Sequence, residues 1–376
     1  MAKQKKRVYT FVIFLLFIIY FLVAARPVPL ETILVPGWIS PLESGVSVVL
    51  DKNLHVSEQL LPFTLGSRFG YVDSAGKFAI NKIISKNIYL DENMWTEFTA
   101  EPSSIEINNI SGEPVIKIDN ARGYPVLLDN RVFILGSDQN SLSEIGADGK
   151  ILWTYEFGAP LTCIDAAAGL VLTGSLDGII EILDSNGKRI YYFDPGGSRY
   201  NIIYGCAISH NGSRLGIICG VDSQRFLFLE RLGNNDSEYR IVYHEFLESG
   251  FRRPVRISFI DEDRRIVFER DGGIGCYNIK SRRSINIPLE GKITAIDNSG
   301  DQGLLFFITS HPQQNNELIG IKLPQDKKFS FLKTNAQDTV FLRAPFKSAD
   351  VYLGRTGSML IAGGGTTLIS FNLEDK

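Results

Sequence analysis

A glycine-tipped turn followed by a strand of aromatic or β-branched residues recurs along the chain, and its spacing constrains the fold more than any other feature. It reads Asp73-Ser-Ala-Gly76-Lys77 before FAINKI and Ile110-Ser-Gly112 before PVIKI. It returns as Ala147-Asp-Gly149-Lys150 before ILWTYEF and Asp184-Ser-Asn-Gly187-Lys188 before RIYYF, with about 37 residues between successive turns. Glycine at the tip supplies the positive φ that a tight hairpin needs. Weaker counterparts near Asn235, Ser281 and Gln325 precede YRIVYHEF, SINIPL and FSFLK at a spacing of about 45.

Two further hairpins belong to the same repeat. Half a repeat earlier come segments such as LTGSLDGIIEILD, FERDGGIGCYNIK and IAGGGTTLISFNL, each a buried strand, a Gly/Asp/Ser turn and an alternating strand. An opening hairpin is clearest in CAISHNGSRLGIIC. Three hairpin turns per repeat make four antiparallel strands, the unit of a propeller blade. The fold class is therefore all-β, a single β-propeller of eight four-stranded blades over residues 45–376. Seven is the alternative if residues 45–122 form one irregular blade. Seven turn-plus-strand elements can be counted, and the C-terminal segment supplies about three more strands without a closing outer one. A blade left open would expose an unpaired edge, so Gly45–Asp51 (GVSVVLD) is expected to pair with the C-terminal strands as a clasp.

The N-terminus is of a different kind. Residues 1–7 are basic (Lys3, Lys5, Lys6, Arg7) and Val8–Ala25 is an uncharged run of 18 residues. At 1.5 Å per residue that run nearly spans a hydrocarbon core of ~30 Å. It is longer than the usual signal-peptide core, and Arg26-Pro27 is an awkward mature start. The expectation is therefore a retained transmembrane signal-anchor helix over 8–25, with cleavage and secretion as the alternative. Basic residues before the run and their scarcity after it place the body on the extracytoplasmic, periplasmic side of the cell membrane. Residues 26–44 carry Pro27, Pro29, Pro36 and Pro41 and read as a semi-rigid spacer in extended backbone. Alternatively, their apolar side chains (Ile33, Leu34, Val35, Trp38, Ile39) pack on the body. Past residue 25 the remaining 35 basic residues face 42 acids, a net of −7, so nucleic acid is not an expected partner.

GADGKILWTYEF together with GSLDGIIEILDSNGKRIYYF resembles the repeats of the pyrroloquinoline-quinone-type propeller superfamily, and CAISHNGSRLGIIC is similar to WD40-like blades. The resemblance covers most of residues 123–376 and only thinly 45–122. Among exported members, the propeller subunit of outer-membrane assembly machinery is the nearest architectural analogue, though this chain lacks a cysteine for lipid attachment near its N-terminus. The resemblance implies that Trp153 packs between blades. It also raises the quinone-dependent dehydrogenases, whose cofactor sits beneath an adjacent-cysteine disulfide and above a tryptophan. Here Cys163, Cys206, Cys219 and Cys276 are never adjacent, and the tryptophans are only Trp38, Trp95 and Trp153. No cofactor is expected.

Other chemical signals are sparse. His55, His210, His244 and His311 have no ligand-like spacing, so no metal site is expected. Gly363-Gly364-Gly365 lacks the Lys-Ser/Thr and helix of a P-loop and reads as a blade turn, as do Asp177-Gly178 and Asp271-Gly272. A two-residue Asn211-Gly212 turn pairs Cys206 with Ile217 and leaves Cys219 diagonal, so free thiols are the default and a Cys206–Cys219 disulfide would need a bulge. One blade is rich in arginine: Arg252, Arg253, Arg256, Arg264, Arg265, Arg282 and Arg283. These read as solvated loop residues or, more sharply, as a docking patch for an acidic protein partner or anionic headgroups. The functional expectation is a non-catalytic, membrane-anchored interaction or scaffolding module of the cell envelope with protein partners. The alternative is a ligand-binding sensor or an enzyme using the central channel, which two or more converging carboxylates or histidines would favour.

Overall fold

The recurring turns are built by their own side chains. Asp73 Oδ1 accepts the N–H groups of Ala75 (2.9 Å) and Lys77 (2.8 Å). Asn109 does the same for Ser111 and Glu113, and Asp184 for Asn186 and Lys188. In each turn the glycine three residues on donates its N–H back to the carbonyl of the Asp or Asn. A short acceptor fixed two and four residues before the N–H groups it binds is an Asx-type device, and it ends one strand while aiming the next antiparallel.

A computed structural model describes residues 13–20, 31–42, 60–233, 238–248, 250–297, 303–323 and 339–375. The chain divides into two units, residues 1–35 with 373–376 and residues 36–372. Among the described residues the strands form eight sheets, seven of four strands and one of three. The three-stranded sheet holds β2 (Leu61–Leu65), β3 (Arg68–Val72) and β4 (Phe78–Ile83). The next six run from β5 (Asn87–Leu90) to β8 (Pro114–Asp119), β9 (Gly123–Leu128) to β12 (Ile151–Glu156) and β13 (Leu161–Ala167) to β16 (Arg189–Phe193). They continue from β17 (Ile203–Ile208) to β20 (Tyr239–Phe246), β21 (Ile257–Ile260) to β24 (Arg283–Pro288) and β25 (Lys292–Ile296) to β28 (Val340–Lys347). The eighth sheet places β29 (Val351–Thr356), β30 (Met359–Gly364), β31 (Thr367–Asp375) and β1 (Thr32–Pro41) side by side. This is an eight-bladed propeller.

Burial follows position within each blade. The two middle strands are almost wholly buried, as in β22 (Arg265–Arg270) and β23 (Gly273–Asn278), and the outermost strands alternate between half-buried and exposed. The core therefore lies between blades: one cluster joins Leu172, Ile180 and Ile182 to Ile217, Leu227 and Leu229 of the following blade. Another joins Val267, Ile274 and Cys276 to Leu305, Phe307 and Ile319. A blade has two apolar faces, so each needs a neighbour, and only a closed ring covers all of them.

Closure uses a strand from the N-terminal side. β1 is the outermost strand of the blade that otherwise comes from the C-terminal end, and Trp38 N–H donates to Ser370 Oγ at 2.9 Å. Leu42 N–H then donates to Thr366 O, and Asn81 Nδ2 to Leu42 O. Tyr352 Oη donates to Pro62 O at 2.7 Å, tying the eighth blade to the first. A clasp is present, but it is residues 32–41 that provide it; Gly45–Asp51 lies outside the described residues. The polyproline reading of this stretch is corrected as well. Proline is tolerated on an edge strand, where a missing N–H costs no ladder bond, and Trp38 packs on the body as the alternative required.

The expected membrane span needs the larger correction. The described helix covers residues 13–20, about 12 Å at 1.5 Å per residue against a core of ~30 Å. No helix among the described residues is long and apolar enough to cross a membrane. A single-pass anchor, and the membrane placement built on it, is therefore not supported. Hydropathy measures a preference for apolar surroundings and does not by itself fix the length of a helix. Residues 8–12 and 21–25 of the expected span, with the Ala25–Arg26 junction, lie outside the described residues, as do His55 and the turns near Asn235 and Gln325.

Candidate interaction site

The first strand of each blade faces the propeller axis. Residues of five of them, β13, β17, β21, β25 and β29, line a cavity of about 590 Å³. Its wall carries Cys163, Ile164, Tyr204, Cys206, Ile257, Thr294, Ile296 and Leu353, with one charged side chain, Arg256, whose guanidinium donates to Thr294 O at 3.0 Å. Carboxylates and histidines do not converge on it. Asp165 lies on β13 but is engaged elsewhere: Oδ2 accepts Ile208 N–H of the next blade at 2.8 Å and Oδ1 accepts Ala166 N–H at 2.9 Å. Burial pushes its carboxyl up to about 6, against the lowering effect of those two bonds. Among the described residues no group of three His, Cys, Asp or Glu side chains could hold a metal ion. A larger groove of about 830 Å³ opens between Asp271–Gly272, Pro288–Gly291 and Val340–Arg343, where Arg343 is paired with Glu317 at 2.7 Å.

The arginine-rich blade does not present one patch. β21 pairs with β22 so that Ile257 faces Phe268 and Ile260 faces Arg265. Residues 252–256 therefore lie at one end of the blade, and 261–265 with 279–283 at the other. Strands of four to six residues keep the two ends roughly 15–20 Å apart. At the far end, Arg264 donates to Asp261 Oδ1 at 2.5 Å, and buried Arg265 lies 3.6 Å from Asp261 Oδ2. Arg282 lies 4.0 Å from Glu230, and Arg283 is exposed on β24. At the near end, Arg253 makes a bidentate pair with Glu269 and lies 4.3 Å over the Phe251 ring.

Arg252 and Arg256 differ from these. Both are exposed, and each donates to a neutral carbonyl, Arg252 to Val221 O at 2.6 Å and Arg256 to Thr294 O. A carbonyl orients a guanidinium without cancelling its charge; Arg256 is held so on the cavity wall, and Arg252 four positions earlier in the chain. Their context is the FRRPVR segment between β20 and β21, where the main chain of one blade crosses to the next.

Three tight polar contacts were not legible from spacing. Arg355, fully buried, bonds Asp297 Oδ2 at 3.3 Å, Leu304 O at 3.1 Å and Gly357 O at 2.9 Å. Asp165 joins the fourth and fifth blades, and Asp263 joins the fifth and sixth by accepting His210 N–H at 2.8 Å. Arg355 and Asp165 sit on first strands, whose alternation is the one local hint of their position, and Asp263 sits in a turn.

Comparison with known proteins agrees with this architecture. Residues 1–375 match a family described as beta-propeller protein. An uncharacterized protein of Treponema pallidum (strain Nichols) is 26% identical over 299 residues, covering 78% of each chain. Among solved structures, BamB from Moraxella catarrhalis superposes with a TM-score of 0.55 at 13% identity, over 90% of this chain and 100% of that one. The computationally designed Ika8 protein gives 0.56 at 11% identity, over 84% and 96%. At such identities the structural likeness concerns the fold alone.

Proposed function

Since the chain belongs to the beta-propeller protein family, we propose that it is a non-catalytic protein-interaction module whose channel-mouth face, centred on Arg252 and Arg256, docks an acidic segment of a partner protein. One observation carries this reading: two exposed guanidiniums are held in place by neutral carbonyls, while Arg253, Arg264 and Arg265 lie against carboxylates. An acidic body with a fixed positive spot steers a negatively charged partner to one orientation. Of the side chains lining the channel cavity, one is a cation and none is a carboxylate or histidine, so the groups most often used in general acid–base catalysis do not face each other there. Propellers suit this role because many loops are held on a rigid frame.

The test is affinity capture at low salt with wild type, Arg252→Glu/Arg256→Glu and Arg282→Glu. A partner retained by wild type and Arg282→Glu but lost by the double variant, and released by added salt, supports the assignment. Equal retention by all three overturns the docking face.

A further inference from the structure

Cys163 and Cys206 come from neighbouring blades, 43 positions apart, yet their side chains share one place. Cys163 sits on β13 opposite Gly174, where a Cβ would fall 2.7 Å from its Sγ. Cys206 sits on β17, and its Sγ lies 3.9 Å from Leu172 O. Leu172 and Gly174 are two apart on β14 (Leu170–Ser175), so they point to the same face of that strand. Both thiols thus lie against one stretch of β14. They also share the cavity wall along the axis. Cys163 is half-buried, whereas Cys206 is buried. The other two thiols have no such neighbour: Cys219 stands opposite Ile203, and Cys276 opposite Val267 and Ile285.

We infer that Cys163 and Cys206 are a redox-modification site, a dithiol that small organic disulfides entering the channel convert into a disulfide joining the fourth and fifth blades. The more accessible Cys163, as thiolate, attacks one sulfur of the reagent, forming a mixed disulfide and releasing one thiol. Cys206 loses its proton and attacks the Cys163 sulfur, forming the Cys163–Cys206 bond and releasing the second thiol. Two protein thiols are oxidised with loss of two protons, and one reagent disulfide is reduced to two thiols. The order follows from exposure: Cys163 is the half-buried thiol and Cys206 the buried one, so Cys206 serves as the resolving group. The missing Cβ of Gly174 makes room for the Cys163 sulfur and the Ile203 side chain, which lie within 2.8 Å of where that Cβ would stand.

The folded wild-type protein is treated with 2-hydroxyethyl disulfide, quenched in acid and examined by intact mass and non-reducing peptide mapping. The expected product is lighter by about 2 Da, the two hydrogens lost on forming one disulfide, with the Cys163 and Cys206 peptides linked and Cys219 and Cys276 still alkylated after denaturation. Cys206→Ser should stop at the mixed disulfide on Cys163, and Cys163→Ser should take up no reagent at Cys206. A wild-type product that keeps a stable adduct on Cys163, links Cys206 to another cysteine, or retains four free thiols overturns the assignment. The wild-type result decides even if a variant folds poorly.

Discussion

The indole of Trp38 lies flat against Gly76: a Cβ at that glycine would fall 2.5 Å from the ring, and Trp38 Nε1 donates to Ser74 O at 2.9 Å. Trp38 belongs to the outermost strand of the eighth blade and Gly76 to a turn of the first, so this pair seals the ring. The same contact recurs between Trp153 and Gly187, one blade apart, with Trp153 Nε1 donating to Glu144 Oε2 at 2.8 Å. Because a ring has no free end, Trp38→Ala should lower the melting temperature of the whole body in one transition. A cost of about 2–4 kcal/mol is expected, below a fully buried tryptophan because Trp38 is half-buried. Trp153→Ala should cost a similar amount, and an unchanged melt in either variant counts against the seam.

The glycines of these turns serve two purposes that substitution can separate. Gly187 has φ +73° and meets Trp153, whereas Gly169 has φ +75° and nothing within 4 Å of an added Cβ. Both Gly187→Ala and Gly169→Ala carry the left-handed penalty, about 1 kcal/mol. Only Gly187→Ala also displaces an indole, which adds about 1–3 kcal/mol of overpacking. Denaturant midpoints for the pair should differ by that increment, and equal midpoints would show that the indole yields freely.

The repeat was legible because its turns are local. Asp73, Asn109 and Asp184 bind N–H groups two and four residues away, so the device is written in contiguous sequence. The register of the opening hairpin was legible for the same reason, with Cys206 opposite Ile217. Long-range closure was not. Nothing near Thr32–Pro41 marks it as the partner of Thr367–Asp375, and four prolines argued for a spacer. The arginine cluster misled by proximity in sequence, since the four-residue strand β21 carries Arg256 and Arg264 to opposite ends of a blade. Arg355 and Asp297 are 58 positions apart, and no motif announces them.

Asp165 should give the body a measurable pH dependence. Its carboxyl rises from 3.8 to about 6, chiefly through burial, so folding takes up a proton between those values. The group's stabilising contribution is then fully present below about pH 3.8 and is lost as pH rises through about 6. A shift of this size corresponds to roughly 3 kcal/mol. Other carboxylates titrate in the same window, so the quantity to follow is the difference between wild type and Asp165→Asn. Wild type should gain on the variant by about 2–3 kcal/mol as pH falls from 7.5 to 4. A constant difference would mean that Asp165 titrates normally.

Arg355 and Asp297 join the last two blades as a buried ion pair, with side-chain exposures of 0% and 2%. Removing one partner strands a charge in the core, so Arg355→Met should cost about 3–5 kcal/mol. Replacing both, as Arg355→Met/Asp297→Leu, should cost less than the single change, because no buried charge is left uncompensated. A double-mutant cycle by chemical denaturation checks this, and additive costs would show that the two side chains act independently.

The closing strand makes the strictest demand on the architecture. β31 lies between β30 and β1, it holds Ser370 against Trp38 N–H, and Thr366 O receives Leu42 N–H just before it. Deleting residues 366–376 therefore removes more than an edge. β1 loses the neighbour it pairs with, Trp38 loses its anchor above Gly76, and the inner face of the first blade loses the cover of Leu368, which packs with Phe63, Leu65 and Val72. Unfolding should then spread around the ring: the truncated chain should melt well below the full one, and limited proteolysis should cut near residues 32–42 as well as in blades far from the deletion. If instead cleavage is confined to residues 339–365 and the other blades keep their resistance, the blades are stable singly and the ring is not held by its clasp.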